Sequence, residues 1–181
     1  ARGARRFGES QKMKSSLMRR LALVLLLSSA ACAAHAQTSD LLISEYIEGS
    51  GTNKAIEIYN GTGAAVDLDS GQYRLELYSN GSTSITNSLA LTGSIADGDV
   101  LVLCNATDPG ITSRCDVTDT GTINFNGDDA LVLRKNSAGA GSGDVVDSLG
   151  QLGTDPGSEW GTGNQSTADN TIRRKDTVCA G

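Results

Sequence analysis

Histidine is almost missing from this chain. The 181 residues contain one, His35, and it lies in an apolar leader-like stretch near the start. Everything after Ala36 lacks the side chain that titrates near neutral pH. A Ser-His-Asp triad, a Cys-His pair and any histidine-based acid or base are therefore excluded there. Helical periodicity is missing too: no window of a dozen residues after the leader shows it. Long apolar runs are scarce. The one present, Leu21 to Leu27, is too short for a stable membrane span. No fixed-period repeat, glycine-aspartate repeat or twelve-residue EF-hand loop occurs.

That apolar run reads as the core of an export signal. Residues 1–12, with Arg2, Arg5 and Arg6, precede the first methionine and read as an upstream extension or cloning remnant. Residues 13–36 then hold a basic start at Lys14, Arg19 and Arg20, the apolar stretch, and small residues ending in Ala34-His35-Ala36. This A-x-A pattern predicts cleavage between Ala36 and Gln37. A lipoprotein leader would want a residue such as Leu three positions before Cys32, where Ser29 stands. A twin-arginine signal would want a polar spacer after Arg19-Arg20. Ordinary export is the better reading. The expected destination is the outside of the cell, by way of the periplasm if the source is a Gram-negative bacterium.

Cleavage changes the charge balance. The whole chain carries −6, but seven of its 15 bases and one of its 21 acids fall in the first 36 residues. With twenty acids against eight bases, residues 37–181 carry −12. Such a surface repels nucleic acid at long range, so contact with it should be weak or absent.

Three cysteines remain after cleavage: Cys104, Cys115 and Cys179. Cys104 and Cys115 bracket a loop containing Asp108-Pro109-Gly110. Export makes disulfides available, and no second Cys pair or histidine supports zinc. A Cys104–Cys115 bridge is therefore favoured over free thiols or metal ligands. Cys179 is left over, and its partner is expected in sequence beyond this chain.

The rest of the chain is short alternating or apolar segments separated by turn residues. Leu41 to Glu48, Lys54 to Tyr59, Tyr73 to Tyr78, Ser88 to Leu91, Val100 to Cys104, Ala130 to Leu133 and Val145 to Leu149 read as strands. Tyr73, Leu75 and Leu77 face inward in this reading, with Arg74, Glu76 and Tyr78 outward. Asn60-Gly61, Asn80-Gly81, Asp97-Gly98-Asp99 and Asn126-Gly127-Asp128-Asp129 supply turns. Asn53 suits a turn, and Lys54 suits an edge strand. The pattern is that of an all-β sandwich or barrel over 37–163. Residues 164–181 read as a last edge segment and the start of a linker.

Candidate chemistry is thin. The carboxylate pairs include Asp97 with Asp99 and Asp128 with Asp129. They sit in turns, where solvated structural roles are favoured over general acid/base work. Calcium is the better functional alternative, because acidic turns offer hard oxygen ligands. No other cofactor is implied. Arg173-Arg174-Lys175 with Trp160 offers cations for phosphate and one aromatic for stacking. A stretch flanking the domain edge explains the same residues.

Several motifs carry a resemblance. Leu42-Ile43-Ser44-Glu45-Tyr46 is followed by Asn53-Lys54-Ala55-Ile56-Glu57-Ile58-Tyr59-Asn60 and Val66-Asp67-Leu68. Then come Gly98-Asp99-Val100-Leu101-Val102 and Phe125-Asn126-Gly127-Asp128-Asp129-Ala130-Leu131-Val132-Leu133. Together they resemble the lamin-tail domain, over about Asp40 to Lys175. The version with the terminal Arg-Arg-Lys is similar to the module at the N-terminus of bacterial extracellular nucleases, upstream of an endonuclease/exonuclease/phosphatase catalytic domain. The resemblance implies an immunoglobulin-like β-sandwich and a binding or targeting role. It carries over no catalytic residue, and it implies a catalytic domain further along the same polypeptide as partner. The alternative is a free-standing structural or adhesive module, with or without calcium. A small hydrolase built on carboxylates ranks last.

Overall fold

A computed structural model describes residues 37–181. The expected leader, with Cys32, His35 and the Ala36 side of the cleavage site, lies outside the described residues. Among the described residues, thirteen short strands alternate with turns. They are β1 (Leu42–Glu48), β2 (Lys54–Tyr59), β3 (Val66–Asp67), β4 (Arg74–Tyr78), β5 (Asn87–Ala90), β6 (Ser94–Ile95) and β7 (Val100–Asn105). After a 3₁₀ turn at Thr112–Arg114 come β8 (Val117–Asp119), β9 (Ala130–Lys135), β10 (Asp144–Leu149), β11 (Gly161–Thr162), β12 (Gln165–Ser166) and β13 (Thr171–Arg173).

The strands form a five-stranded sheet in the order β13-β1-β2-β7-β8 and a four-stranded sheet in the order β10-β9-β4-β5. The pairs β3–β6 and β11–β12 stand apart from them. Every pairing is antiparallel except β7 with β8. The parallel step is possible because the loop from 106 to 116 crosses over before β8 begins.

Period-two alternation decides which side chains meet between the sheets. Ile56 and Ile58 from β2 face Leu75 and Leu77 from β4 and Leu131 and Leu133 from β9 in one continuous core. Tyr46 packs there on Phe125, with ring centroids 4.7 Å apart. Strand β9 is buried on both faces, as its unbroken apolar run implies. Its outer side, with Val132, is closed by Tyr78, Ala130 and Ile85.

Two features differ from the sequence reading. Lys54 is not on an edge: β2 lies between β1 and β7, and Lys54 is only 6% exposed. Its ammonium reaches Glu48 Oε1 at 2.5 Å and lies 5.9 Å from the Phe125 ring centroid, so the ion pair makes burial tolerable. Glu76 and Tyr78 do face away from the main core, yet both are buried. Glu76 accepts from Tyr78 Oη (2.7 Å), Arg134 Nε (2.8 Å) and Gly141 N (2.6 Å). A β9–β10 connection thus folds back over this face.

The turns follow their residues. Asn80 and Gly81 both take left-handed backbone, φ 53° and 69°, and Ser82 N donates to Ser79 O, as an Asn-Gly turn requires. Asn60 and Asn105 do more than turn the chain. Each is buried, and each accepts on Oδ1 from the backbone and hydroxyl of the threonine two residues on. Each also donates from Nδ2 to a distant carbonyl, Ile95 O for Asn60 and Ile123 O for Asn105. Asn60-Gly61-Thr62 and Asn105-Ala106-Thr107 are therefore one repeated loop bracket.

Candidate functional site

The four aspartates singled out from the sequence do not converge. Asp97 Oδ1 accepts from Gly63 N at 2.8 Å, and Asp99 Oδ1 from Val100 N at 2.9 Å, both beyond the Tyr59 end of β2. Asp129 is half of a turn clamp: Oδ1 accepts from Asn80 N (3.0 Å) and Oδ2 from Asn126 N (2.9 Å). Burial raises its pKa above the ordinary value, the Asp128 charge adds to this, and the two backbone bonds oppose it. Asp128 is buried, and its Oδ1 has no hydrogen-bond partner. Tyr46 is pushed far up by burial first and then by Glu48, Asp129 and Asp128, which places this second group near the Lys54 end of β2. Among the described residues no set of three or more His, Cys, Asp or Glu is arranged to hold a metal ion.

Trp160 is occupied by that same turn. Its indole N–H donates to Asp129 O at 2.9 Å, and its backbone N–H to Gly127 O at 3.2 Å. A Cβ on Gly150 would stand 2.8 Å from Nε1, so glycine there lets the ring settle on the chain. The basic tract lies elsewhere. Arg173 Nε pairs with Glu45 Oε2 at 2.8 Å across the β13–β1 pairing. Arg174 turns inward to Asp147. Lys175 is exposed.

The tract walls a groove of about 580 Å³ on the outer face of the five-stranded sheet. Leu42 and Tyr59, direct cross-strand partners, form its floor with Ser44 and Glu57. Ser44 Oγ donates to Glu57 Oε1 at 2.8 Å. A second hollow of about 270 Å³ shares Glu57 and runs on to Val102, Ile111 and Arg114. Trp160 does not line the larger groove. Sequence reasoning missed this groove because its floor residues read only as the outward half of alternating strands.

The bridge between Cys104 and Cys115 is formed, with Cα atoms 5.9 Å apart. It ties the loop to the sheet, and Ile111 and Arg114 of that loop wall the smaller hollow. Cys179 is a free, exposed thiol, and its carbonyl accepts from Ser39 N. Nothing in these surroundings pairs a nucleophile with a base and an orienting third group, as covalent catalysis requires.

The family model of the Lamin Tail Domain matches residues 34–153, well over half of the chain. This chain belongs to the lamin tail domain family. The lamin tail domain is an immunoglobulin-like, non-catalytic module of binding or structural type, and the all-β sandwich agrees with that membership. No curated protein sequence and no solved structure matches the chain. Sheet pairing continues past the matched span: β13 stands at the edge of the five-stranded sheet, beside β1. Among the described residues no helix is long and apolar enough to cross a membrane.

Proposed function

We propose that this lamin tail domain is the accessory module of an exported bacterial protein whose polypeptide also carries a metal-dependent extracellular nuclease. The module holds or orients the catalytic part, or brings it to a surface or substrate, and does no chemistry itself. The observation that carries this reading is the ordered motif string from Leu42 to Leu133, joined to the terminal Arg173-Arg174-Lys175. Its pieces fall on β1, β2, β7 and β9 in one sandwich. The A-x-A site before Gln37 and the Cys104–Cys115 bridge support export to an oxidising compartment.

The test is the reading frame beyond Gly181, together with the N-terminus of exported protein. A downstream domain with the His, Asp and Asn motifs of the endonuclease/exonuclease/phosphatase superfamily, and a mature start at Gln37, are expected. A stop codon, or further β modules with no catalytic domain, would remove the nuclease. Retention of residues 13–36 in the secreted product would remove the export reading.

A further inference from the structure

We infer that the groove on the outer face of the five-stranded sheet binds a neutral saccharide chain. Its volume, about 580 Å³, falls in the range of small-ligand sites. A separate hollow of about 270 Å³ lies beside it and shares Glu57 as a wall.

The floor supplies an apolar platform. Tyr59 lies half-buried beside fully packed Leu42. Its ring is pinned by Gly61, where a Cβ would come within 2.6 Å of Cε1 and 3.0 Å of the Thr38 methyl carbon. A fixed aromatic face of this kind suits the C–H face of a pyranose ring, which needs a flat apolar partner.

The rim supplies hydrogen-bonding groups of both kinds. Lys175 and Arg173 donate, Glu57 and Asp176 accept, and Ser44, whose hydroxyl donates to Glu57, has acceptor capacity left. Thr38 is 5% exposed, lines the groove, and has a hydroxyl with no partner. That hydroxyl oxygen is closed off from solvent, so Thr38 gives the groove a wall and no hydrogen bond.

The same rim argues against other ligands. Glu57, Asp176 and the −12 of residues 37–181 oppose a polyanion. Arg173 and Lys175 oppose a cation. An apolar ligand would desolvate charged groups and give nothing back. A saccharide carries no charge, and each of its hydroxyls both donates and accepts. The groove is built entirely from residues of this domain, so its test is separate from that of the nuclease reading.

The experiment is calorimetric titration of the purified chain with four neutral tetrasaccharides: cello-, malto-, xylo- and chitotetraose. Tetragalacturonate and a short single-stranded DNA serve as charged controls. At least one neutral probe should bind with Kd between about 10 µM and 1 mM, the range open to a shallow site. Tyr59→Ala should weaken it by about tenfold or more, a loss of ~1.4 kcal/mol, and Tyr59→Phe should retain it. Glu57→Gln keeps an acceptor for Ser44, so the fold survives, and it should weaken binding by about threefold or more. Failure of all four neutral probes at about 10 mM, well past the expected range, would overturn the inference. So would binding by the charged probes alone, or neutral binding that Tyr59→Ala and Glu57→Gln leave unchanged.

Discussion

Arg174 reaches across the seam of the sandwich to Asp147: one Nη2 donates to both carboxylate oxygens, at 2.8 and 2.6 Å. Its Nε also donates to Ile43 O at 2.8 Å, and Asp147 Oδ2 takes Ile43 N at 2.7 Å. Ile43 and Asp147 each flank a register slip, between Ile43 and Glu45 in β1 and between Val145 and Asp147 in β10. Those bulges free backbone groups that an unbroken ladder would use, and the ion pair takes them up. One residue of the tail therefore joins the two sheets.

Truncating Arg174 should be costly. Asp147 is 2% exposed, so Arg174→Ala strands a buried charge and should cost about 3 kcal/mol in urea unfolding. Arg173→Ala removes a pair whose arginine side chain is 77% exposed, and should cost under about 1 kcal/mol. Equal losses from the two substitutions would show that Arg174 is no latch.

The Cys104–Cys115 bridge spans a separation of 11 residues. By loop-closure entropy it should contribute about 3 kcal/mol. Peptide mapping without reductant should recover the 104–115 crosslink. The Cys104→Ala/Cys115→Ala double variant should unfold at correspondingly lower urea. Free thiols at both positions, or an unchanged midpoint, would contradict this.

Acid should weaken the fold through Asp40 and Glu76. Burial opposes ionisation of Asp40, but bonds from Lys135, Tyr73 and Leu41 outweigh it and hold the carboxyl below its ordinary value. Glu76 is likewise opposed by burial and held down by Gly141, Tyr78 and Arg134. Carboxyls depressed in the folded state give their full stabilisation above the unfolded value, about pH 4, and lose it as pH falls through the folded value. Asp129, shifted upward mainly by burial, works in the opposite direction and softens the loss. Melting temperature should therefore drop below about pH 4, with a shallower drop in Glu76→Gln. A drop as steep in the variant as in the parent would contradict the assignment.

Local signals carried much of this fold. The strict alternation of Tyr73 to Leu77 placed three side chains in the core, and Asn80-Gly81 named its turn. The Cys104–Cys115 spacing named its bridge. What stayed hidden depends on distant partners. Glu76 meets Arg134, 58 residues away, and Arg174 meets Asp147, 27 away. Lys54 looked like an edge residue because nothing local shows that β7 flanks it. Trp160 with the basic tract offered stacking and phosphate-binding groups, though a stretch flanking the domain edge explained the same residues. The ring instead packs on the Asp129 turn, and two of the three bases answer carboxylates of the sandwich itself.

The lamin tail domain is a non-catalytic module of binding or structural type. The most direct test is incubation of the purified chain with plasmid, single-stranded DNA, RNA and a phosphate monoester in Mg²⁺, Mn²⁺ or Ca²⁺. No cleavage is expected, because residues 37–181 hold no histidine and no metal-binding set of three occurs among the described residues. Cleavage that survives repurification and disappears with Asp128→Ala or Asp129→Ala would contradict the account.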